Sequence, residues 1–208
     1  MQAIFRFLRG YFGVFALGLL PLQALLAQSA QAHEFVVAIR AVGAERDLVL
    51  ADALRGFLLA TKERDGHPDE TSNGHLGGLD VYIIPQTGEN VVGFPILKKA
   101  PSDRSDITVV IGASGAVDAV LEQAGKEGPA MRAGVLHSAN LWNGAAPSNS
   151  AGFADRYNLA YQQPASKWAA DGYNAARRID AAVRIFGGVD DRAALERALA
   201  ATAGGFQW

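Results

Sequence analysis

Residues 107–119, with the sequence ITVVIGASGAVDA, indicate the fold most directly. Residues 107–111 are all β-branched, which favours a strand. Gly112-Ala113-Ser114-Gly115 then forms a turn, and a helix is predicted from about residue 116 to residue 125. A strand that leads into a helix in this way is the repeating unit of parallel α/β sheets.

The same alternation extends on both sides of this unit. Residues 35–39 (FVVAI) are continuously apolar, as in a strand buried on both faces, and residues 48–64 carry apolar side chains at helical spacing. Residues 65–78 are polar and glycine-rich, which indicates a loop. Further strands are predicted over 79–85 and 131–137, and further helices over 153–161, 165–186 and 191–201. The predicted fold is therefore α/β: a single Rossmann-like domain whose mostly parallel sheet of about four strands is flanked by helices.

The helix over 165–186 has a long apolar side that includes Trp168 and Phe186. Gly187-Gly188 is expected to end this helix, and Asp190 is predicted as the N-cap of the last one. In open parallel sheets, ligands bind beyond the carboxyl ends of the strands. The loops 41–48, 86–92, 112–115 and 138–143 are therefore where a site is expected.

The N-terminal segment predicts export. Residues 1–32 contain Arg6 and Arg9, then an apolar run, then Ala30-Gln31-Ala32, the small-x-small pattern of a signal-peptide cleavage site. The alternative is a membrane anchor, but Pro21 interrupts the run, which is shorter than the roughly 20 residues of a spanning helix. Residues 1–32 are thus predicted as a cleaved signal peptide and residues 33–208 as one periplasmic domain with no membrane span.

Composition excludes several classes of function. The 19 Lys and Arg residues include Arg6 and Arg9, so cleavage leaves 17 basic residues against 21 acidic ones. This acidic balance gives no electrostatic basis for binding nucleic acid. The sequence contains no cysteine, so thiolate-metal and iron–sulfur chemistry are excluded.

Three segments together carry a family resemblance. The first runs from Leu54-Arg55-Gly56-Phe57 to Gly77-Gly78-Leu79-Asp80, and the second comprises residues 107–119 and 134–140. The third, residues 153–183, combines the pattern F-x-x-x-Y-x-x-x-Y and Pro164 with Gly172-Tyr173-Asn174-Ala175-Ala176-Arg177. In this arrangement the chain resembles the type I periplasmic binding proteins of the branched-chain amino-acid, or leucine-binding, kind.

The resemblance is to one lobe of a two-lobe receptor. In the family, a second lobe lies between the residues that correspond to Asn140 and the segment that returns to the first lobe. Here Asn140 leads almost directly into that returning segment, residues 153–183. In addition, Val42-Gly43-Ala44-Glu45 replaces the family's Gly-Pro-Leu-Ser-like turn. The resemblance implies a non-enzymatic component of an ABC transport system, without cofactor or metal, that binds a small polar ligand such as an amino acid or carboxylate. An ABC permease or another periplasmic protein is the implied protein partner.

The resemblance also implies the ligand-binding residues. Ser114 and Gly115 match the turn that holds the ligand carboxylate, and Ser138, Ala139 and Asn140 match the loop that faces its ammonium group. A helix N-terminus suits an anion on physical grounds as well. The alternatives are that Ser114 is an ordinary N-cap and that residues 138–140 are plain loop.

Other polar groups have weaker functional interpretations. Trp142 either stacks on a ligand or covers apolar surface exposed by the absent lobe. His67-Pro68-Asp69-Glu70 with His75 contains metal-ligand types without a rigid motif. His33, the predicted new N-terminus, could chelate copper if a second histidine lay nearby.

Two alternative functions remain. One is an accessory protein that docks a partner through the surface of the missing lobe. The other is an esterase-like hydrolase, since residues 112–116 resemble a nucleophile elbow around Ser114 with Ala116 in place of its last glycine. The candidate base is His137, and the candidate acids are Asp118, Glu122 and Glu127. Asp155-Arg156, Arg177-Arg178 and Asp180 are interpreted as solvated helix faces.

Overall fold

The computed structural model describes residues 33–64, 71–134 and 152–205. The strands are β1 (Glu34–Val42), β2 (His75–Leu76), β3 (Leu79–Thr87), β4 (Asn90–Val91), β5 (Ile107–Gly112) and β6 (Ala130–Arg132). The helices are α1 (Arg46–Lys62), α2 (Ser114–Glu127), α3 (Phe153–Tyr161), α4 (Lys167–Phe186) and α5 (Arg192–Ala201). The predicted signal peptide lies outside the described residues.

The strands form one mostly parallel sheet in the order β2-β3-β1-β5-β6. β1 pairs in parallel with β3 and β5, and β5 pairs in parallel with β6. The two-residue strands β2 and β4 both pair antiparallel with β3. The α/β prediction with a mostly parallel sheet is confirmed, although the described residues form six strands and not about four. β2 falls inside the predicted loop 65–78, where two residues are too few to give a periodic signal.

Helices cover both faces of this sheet. Phe35, Val37 and Ile39 of β1 point into a large core shared with α1 and α4. On the opposite face, Val42 and Val110 pack against Val117 and other residues of α2. Burial on both faces explains why these strands have continuously apolar sequences with no alternation.

α1 and α4 cross at two glycines. A Cβ built on Gly56 would lie 1.8 Å from the carbonyl oxygen of Ala169, and one on Gly172 would lie 2.1 Å from that of Ala53. Real Cβ atoms do not approach oxygen this closely, so only glycine permits the crossing. At this crossing the backbones of α4 and α1 are in direct contact.

The helix ends lie within two residues of the predicted ones. Gly187 ends α4 in the left-handed conformation with φ of 70°, and its N–H bonds the carbonyl of Val183 at 2.8 Å. The prediction for the last helix was wrong by one residue, because Asp191 and not Asp190 accepts the N–H of Ala194, at 2.9 Å. Phe186, on the apolar side of α4, is the last residue of that helix and is 48% exposed.

Polar groups that were predicted to be solvated help to hold α4 in place. Asp180 is 4% exposed and accepts the N–H of Gly77 at 2.8 Å, and its carboxylate also pairs with Arg184 and Arg64. Arg178 is likewise 4% exposed. The solvated interpretation is therefore wrong for both, because α4 lies over the sheet and its polar residues meet the ends of β3 and β6.

Arg156 on α3 was also predicted to be solvated but is partly buried. Its Nε donates to Glu63 at 2.8 Å and its Nη2 to the hydroxyl of Tyr173 at 3.0 Å, while that hydroxyl donates to Glu63 at 2.6 Å. These three residues join α3 and α4 to the end of α1.

The buried hydroxyl of Tyr161 on α3 makes the stability of the fold depend on pH in the alkaline range. The Tyr161 hydroxyl donates to the carbonyl of Arg55 at 2.8 Å, and burial raises the pKa of Tyr161 from 10.0 to about 12. Between pH 10 and 12 the unfolded chain loses this proton while the folded chain keeps it, so stability falls as pH rises. We expect wild type to lose stability more steeply across this range than Tyr161→Phe, as measured by urea unfolding. Equal slopes for the two proteins would contradict the assignment.

None of the helices in residues 33–64, 71–134 and 152–205 combines the length and the apolar character that a membrane span requires.

Candidate functional site

The parallel strands end at one edge of the sheet, here called the carboxyl edge, where β1, β3, β5 and β6 terminate. Three of the four loops in which a site was predicted leave the sheet there; residues 138–143 lie outside the described part of the chain. Arg40 and Gln86 face each other across β1 and β3 close to this edge, with Nε and Oε1 2.9 Å apart. The carboxyl edge therefore combines open backbone turns with polar side chains.

The turn from β5 into α2 depends on Gly112. This residue has φ of +148°, and a Cβ on it would lie 2.3 Å from the carbonyl oxygen of Val42 on the neighbouring strand. No other residue type fits both constraints. Gly112 thus places the start of α2 close against the end of β1.

Ser114 is the first residue of α2, and the N-cap is Ala113. The carbonyl of Ala113 accepts the N–H groups of Ala116 and Val117, both at 3.1 Å, and no side chain caps the helix. The capping interpretation of Ser114 is therefore wrong, and the helix begins two residues before its predicted start. Ser114 and Gly115 are both exposed.

The first turn of α2 has the chemistry of an anion site. The N–H groups of a first helical turn have no intrahelical acceptor. Among the described residues, the hydrogen bonds include none donated by Ser114 or Gly115. Two backbone N–H groups, one hydroxyl and the positive end of the helix dipole therefore face outward together.

The other predicted ligand residues, Ser138, Ala139 and Asn140, lie outside the described residues, and so does Trp142. Of the five predicted ligand-binding residues, the described part of the chain contains Ser114 and Gly115, at the start of α2.

A carboxylate at the end of β6 was missed by the sequence interpretation. Asp171 on α4 lies beside Gly134, where a Cβ would be 3.4 Å from its Oδ2. Its side chain is 13% exposed and accepts a hydrogen bond from Lys167 at 2.6 Å. Burial raises the pKa of Asp171, and Lys167 opposes that shift. The only sequence signal was an i,i+4 Lys–Asp pair, which is typical of a solvated helix face.

The described histidines have structural surroundings. His75 and Asp80 are partners in the register of β2 and β3, and their Nε2 and Oδ1 lie 2.9 Å apart. The main-chain oxygen of His33 accepts the N–H of Asp80 at 3.0 Å. The described residues contain no group of three side chains suited to a metal ion. His67, Asp69 and Glu70 lie outside the described part of the chain.

The described residues do not include a complete Ser–His–acid triad of the kind that a hydrolase would need. Asp118 lies one turn after Ser114 on α2 and pairs with Arg132. His137 lies outside those residues.

Cavities lined by described residues lie on two parts of the domain. One, of about 450 Å³, lies between β3, β4 and the segment 92–103, and its walls are mostly apolar, with Lys98 and Lys99 among them. The other, of about 240 Å³, lies between α2, β6, α4 and α5. Neither of these two cavities is lined by Ser114 or Gly115, which are both exposed.

No family model, no curated protein and no solved structure matches the chain. The functional argument therefore depends on the geometry of the carboxyl edge.

Proposed function

We propose that the chain is an exported solute-binding protein with a Rossmann-like domain that resembles one lobe of the type I periplasmic binding proteins. In this proposal it works in the periplasm with an ABC transport system, after cleavage of residues 1–32. It binds a small polar ligand such as an amino acid or carboxylate, reversibly and without a covalent step.

The observation that carries the proposal is the exposed first turn of α2 at the carboxyl edge. Ser114 and Gly115 offer two N–H groups and a hydroxyl to an anion, and Gly112 brings this turn against the end of β1. Asp171 supplies a negative charge at the end of β6, on the same edge. An anion-binding turn and a carboxylate along one edge suit a ligand that carries both charges.

The packing of α4 against α1 adds support. In the family that the chain resembles, the returning segment leads back to the first lobe. Here Gly56 and Gly172 hold the corresponding helix directly on α1. One lobe covers one side of a ligand, so we expect modest affinity unless a partner covers the other side.

The test is calorimetric titration of the protein with amino acids and small organic acids. Ser114→Ala removes the hydroxyl alone and should weaken binding by about ten-fold, as expected for a hydrogen bond to a charged group. Ser114→Pro removes the N–H as well and should weaken it further. Proline fits this first helical position because Ala113 before it is extended, with ψ of 142°.

Gln123→Ala, an exposed change on the same helix, is the matched control and should bind as wild type does. If Ser114→Pro binds every ligand like wild type, the first turn of α2 is not the site. If no compound binds wild type, direct solute recognition is wrong. The accessory-protein alternative then gains weight, supported by exposed Leu48 and Val91 (71% and 67%) in α1 and β4.

A further inference from the structure

Arg178 is a buried cation that the proposed function does not use. It lies on α4 and is 4% exposed. Its Nη1 donates to the carbonyl of Arg132 at 2.8 Å, its Nη2 to that of Leu199 at 3.1 Å, and its Nε to Thr202 Oγ1 at 3.4 Å. These bonds connect α4 to the end of β6 and to the C-terminal turn of α5.

All three acceptors are neutral oxygens. Among the described residues, no carboxylate forms an ion pair with Arg178. Burial lowers the pKa of Arg178 to about 10. A buried charge without a counter-charge is costly, and the negative end of the α5 dipole offsets that cost only in part.

The guanidinium also has donors left over. Of its five N–H groups, three make the bonds above, so within the described part of the chain one N–H on each terminal nitrogen is not engaged. Two such donors can bond the two oxygens of a carboxylate, a group that arginine often binds through two hydrogen bonds.

Arg178 lines the cavity of about 240 Å³ between α2, β6 and α5. Arg132 and Glu196 are the other charged residues of the wall; Arg132 pairs with Asp118, and Glu196 with Arg192 at 3.3 Å. The remaining wall is largely apolar: Leu121, Ala130, Met131, Leu199, Ala200 and Ala203. The wall residues therefore carry two positive charges and one negative one, set in an apolar surface.

We propose that this cavity binds a small monocarboxylate with an apolar body, such as butyrate or benzoate, whose carboxylate pairs with Arg178. The apolar walls favour such a compound over inorganic phosphate, because phosphate would leave them without a partner and would lose more hydration. The site is distinct from Ser114, which does not line the cavity.

The experiment is an NMR titration of the protein with benzoate, butyrate and inorganic phosphate, following the backbone amide signals. Benzoate and butyrate should shift signals around the cavity, from Met131, Gly134 and Ala203. They should shift Ser114 and Gly115 less, because neither compound carries the positive charge that Asp171 would pair with at the proposed solute site. Phosphate should bind more weakly. In Ser114→Pro the benzoate-induced shifts of Met131, Gly134 and Ala203 should persist, which separates this cavity from the proposed solute site.

Three variants test the chemistry of the cavity. Ala200→Leu, at an exposed position on its wall, should fill it and weaken benzoate binding by about ten-fold or more. Glu196→Gln removes the negative charge of the wall and should tighten binding about two- to five-fold. Arg178→Lys keeps the charge but loses the forked donors, and it should weaken binding in protein whose circular dichroism is unchanged.

Glu196→Gln and Ala200→Leu keep the proposal testable if Arg178→Lys fails to fold. Absence of shifts with both carboxylates would overturn the proposal, as would shifts that appear only around Ser114. Phosphate binding as tight as benzoate would overturn the choice of an apolar carboxylate.

Discussion

Gly172→Ala is expected to destabilise the protein by about 3 kcal/mol or more, because the new methyl group would overlap the backbone of the facing helix. Its Cβ would lie 2.1 Å from the carbonyl oxygen of Ala53. α1 and α4 would have to move apart, and their small side chains would lose contact along the whole crossing. Urea unfolding followed by circular dichroism measures the change.

A second variant at the crossing and a control variant elsewhere test this expectation. Gly56→Ala should be at least as damaging, since its Cβ would lie 1.8 Å from the carbonyl oxygen of Ala169. Gly125→Ala on α2 is the matched control: it has no heavy atom within 4 Å, and alanine should leave stability unchanged or raise it by up to about 1 kcal/mol. If the free energies of unfolding of Gly172→Ala and Gly125→Ala differ by less than about 1 kcal/mol, α1 and α4 do not cross as closely as the structure shows.

Asp180→Ala is expected to cost about 3 kcal/mol, because it removes the acceptor of the Gly77 N–H and the buried partner of two arginines. The turn between β2 and β3 would lose its hydrogen bond to α4. Asp180→Asn keeps an oxygen for Gly77 and should cost about half as much. Thermal and urea unfolding of both variants measure these changes.

Asp118→Ala provides the comparison for an exposed pair. Asp118 is 68% exposed and pairs with Arg132, so its loss should cost less than about 1 kcal/mol and should matter less at high salt. Equal losses for Asp118→Ala and Asp180→Ala would show that the contacts of Asp180 do not differ from those of a surface ion pair. The inference that Asp180 holds α4 against the turn between β2 and β3 would then be wrong.

The contrast between these two aspartates explains what sequence patterns could not predict. Asp180 and Arg178 lie on α4 among residues that look like an ordinary charged helix face. Their burial depends on how α4 packs against the rest of the domain, including the close contact with α1 that Gly56 and Gly172 permit, and helical periodicity does not show this. The role of Asp171 is hidden for the same reason, since only the packing of α4 brings it beside Gly134.

The candidate site was partly predictable. A turn rich in glycine and serine between a strand and a helix indicates a helix N-terminus at a sheet edge, and the structure places Ser114 and Gly115 there. The cap was not predictable, because Ala113 has no capping side chain and the helix starts on backbone geometry alone. The cavity at Arg178 has no sequence signal, since its wall comes from four separate elements.

Local sequence patterns were sufficient to predict the alternation of buried strands and helices, the mostly parallel sheet and the edge at which its loops gather. These follow from local preferences, namely β-branched runs, helical apolar spacing and glycine turns, which act between near neighbours in the chain. Tertiary structure alone decided which polar residues are buried, how closely α1 and α4 approach, and what surrounds Arg178. Those properties depend on contacts between residues far apart in sequence, which no local pattern records.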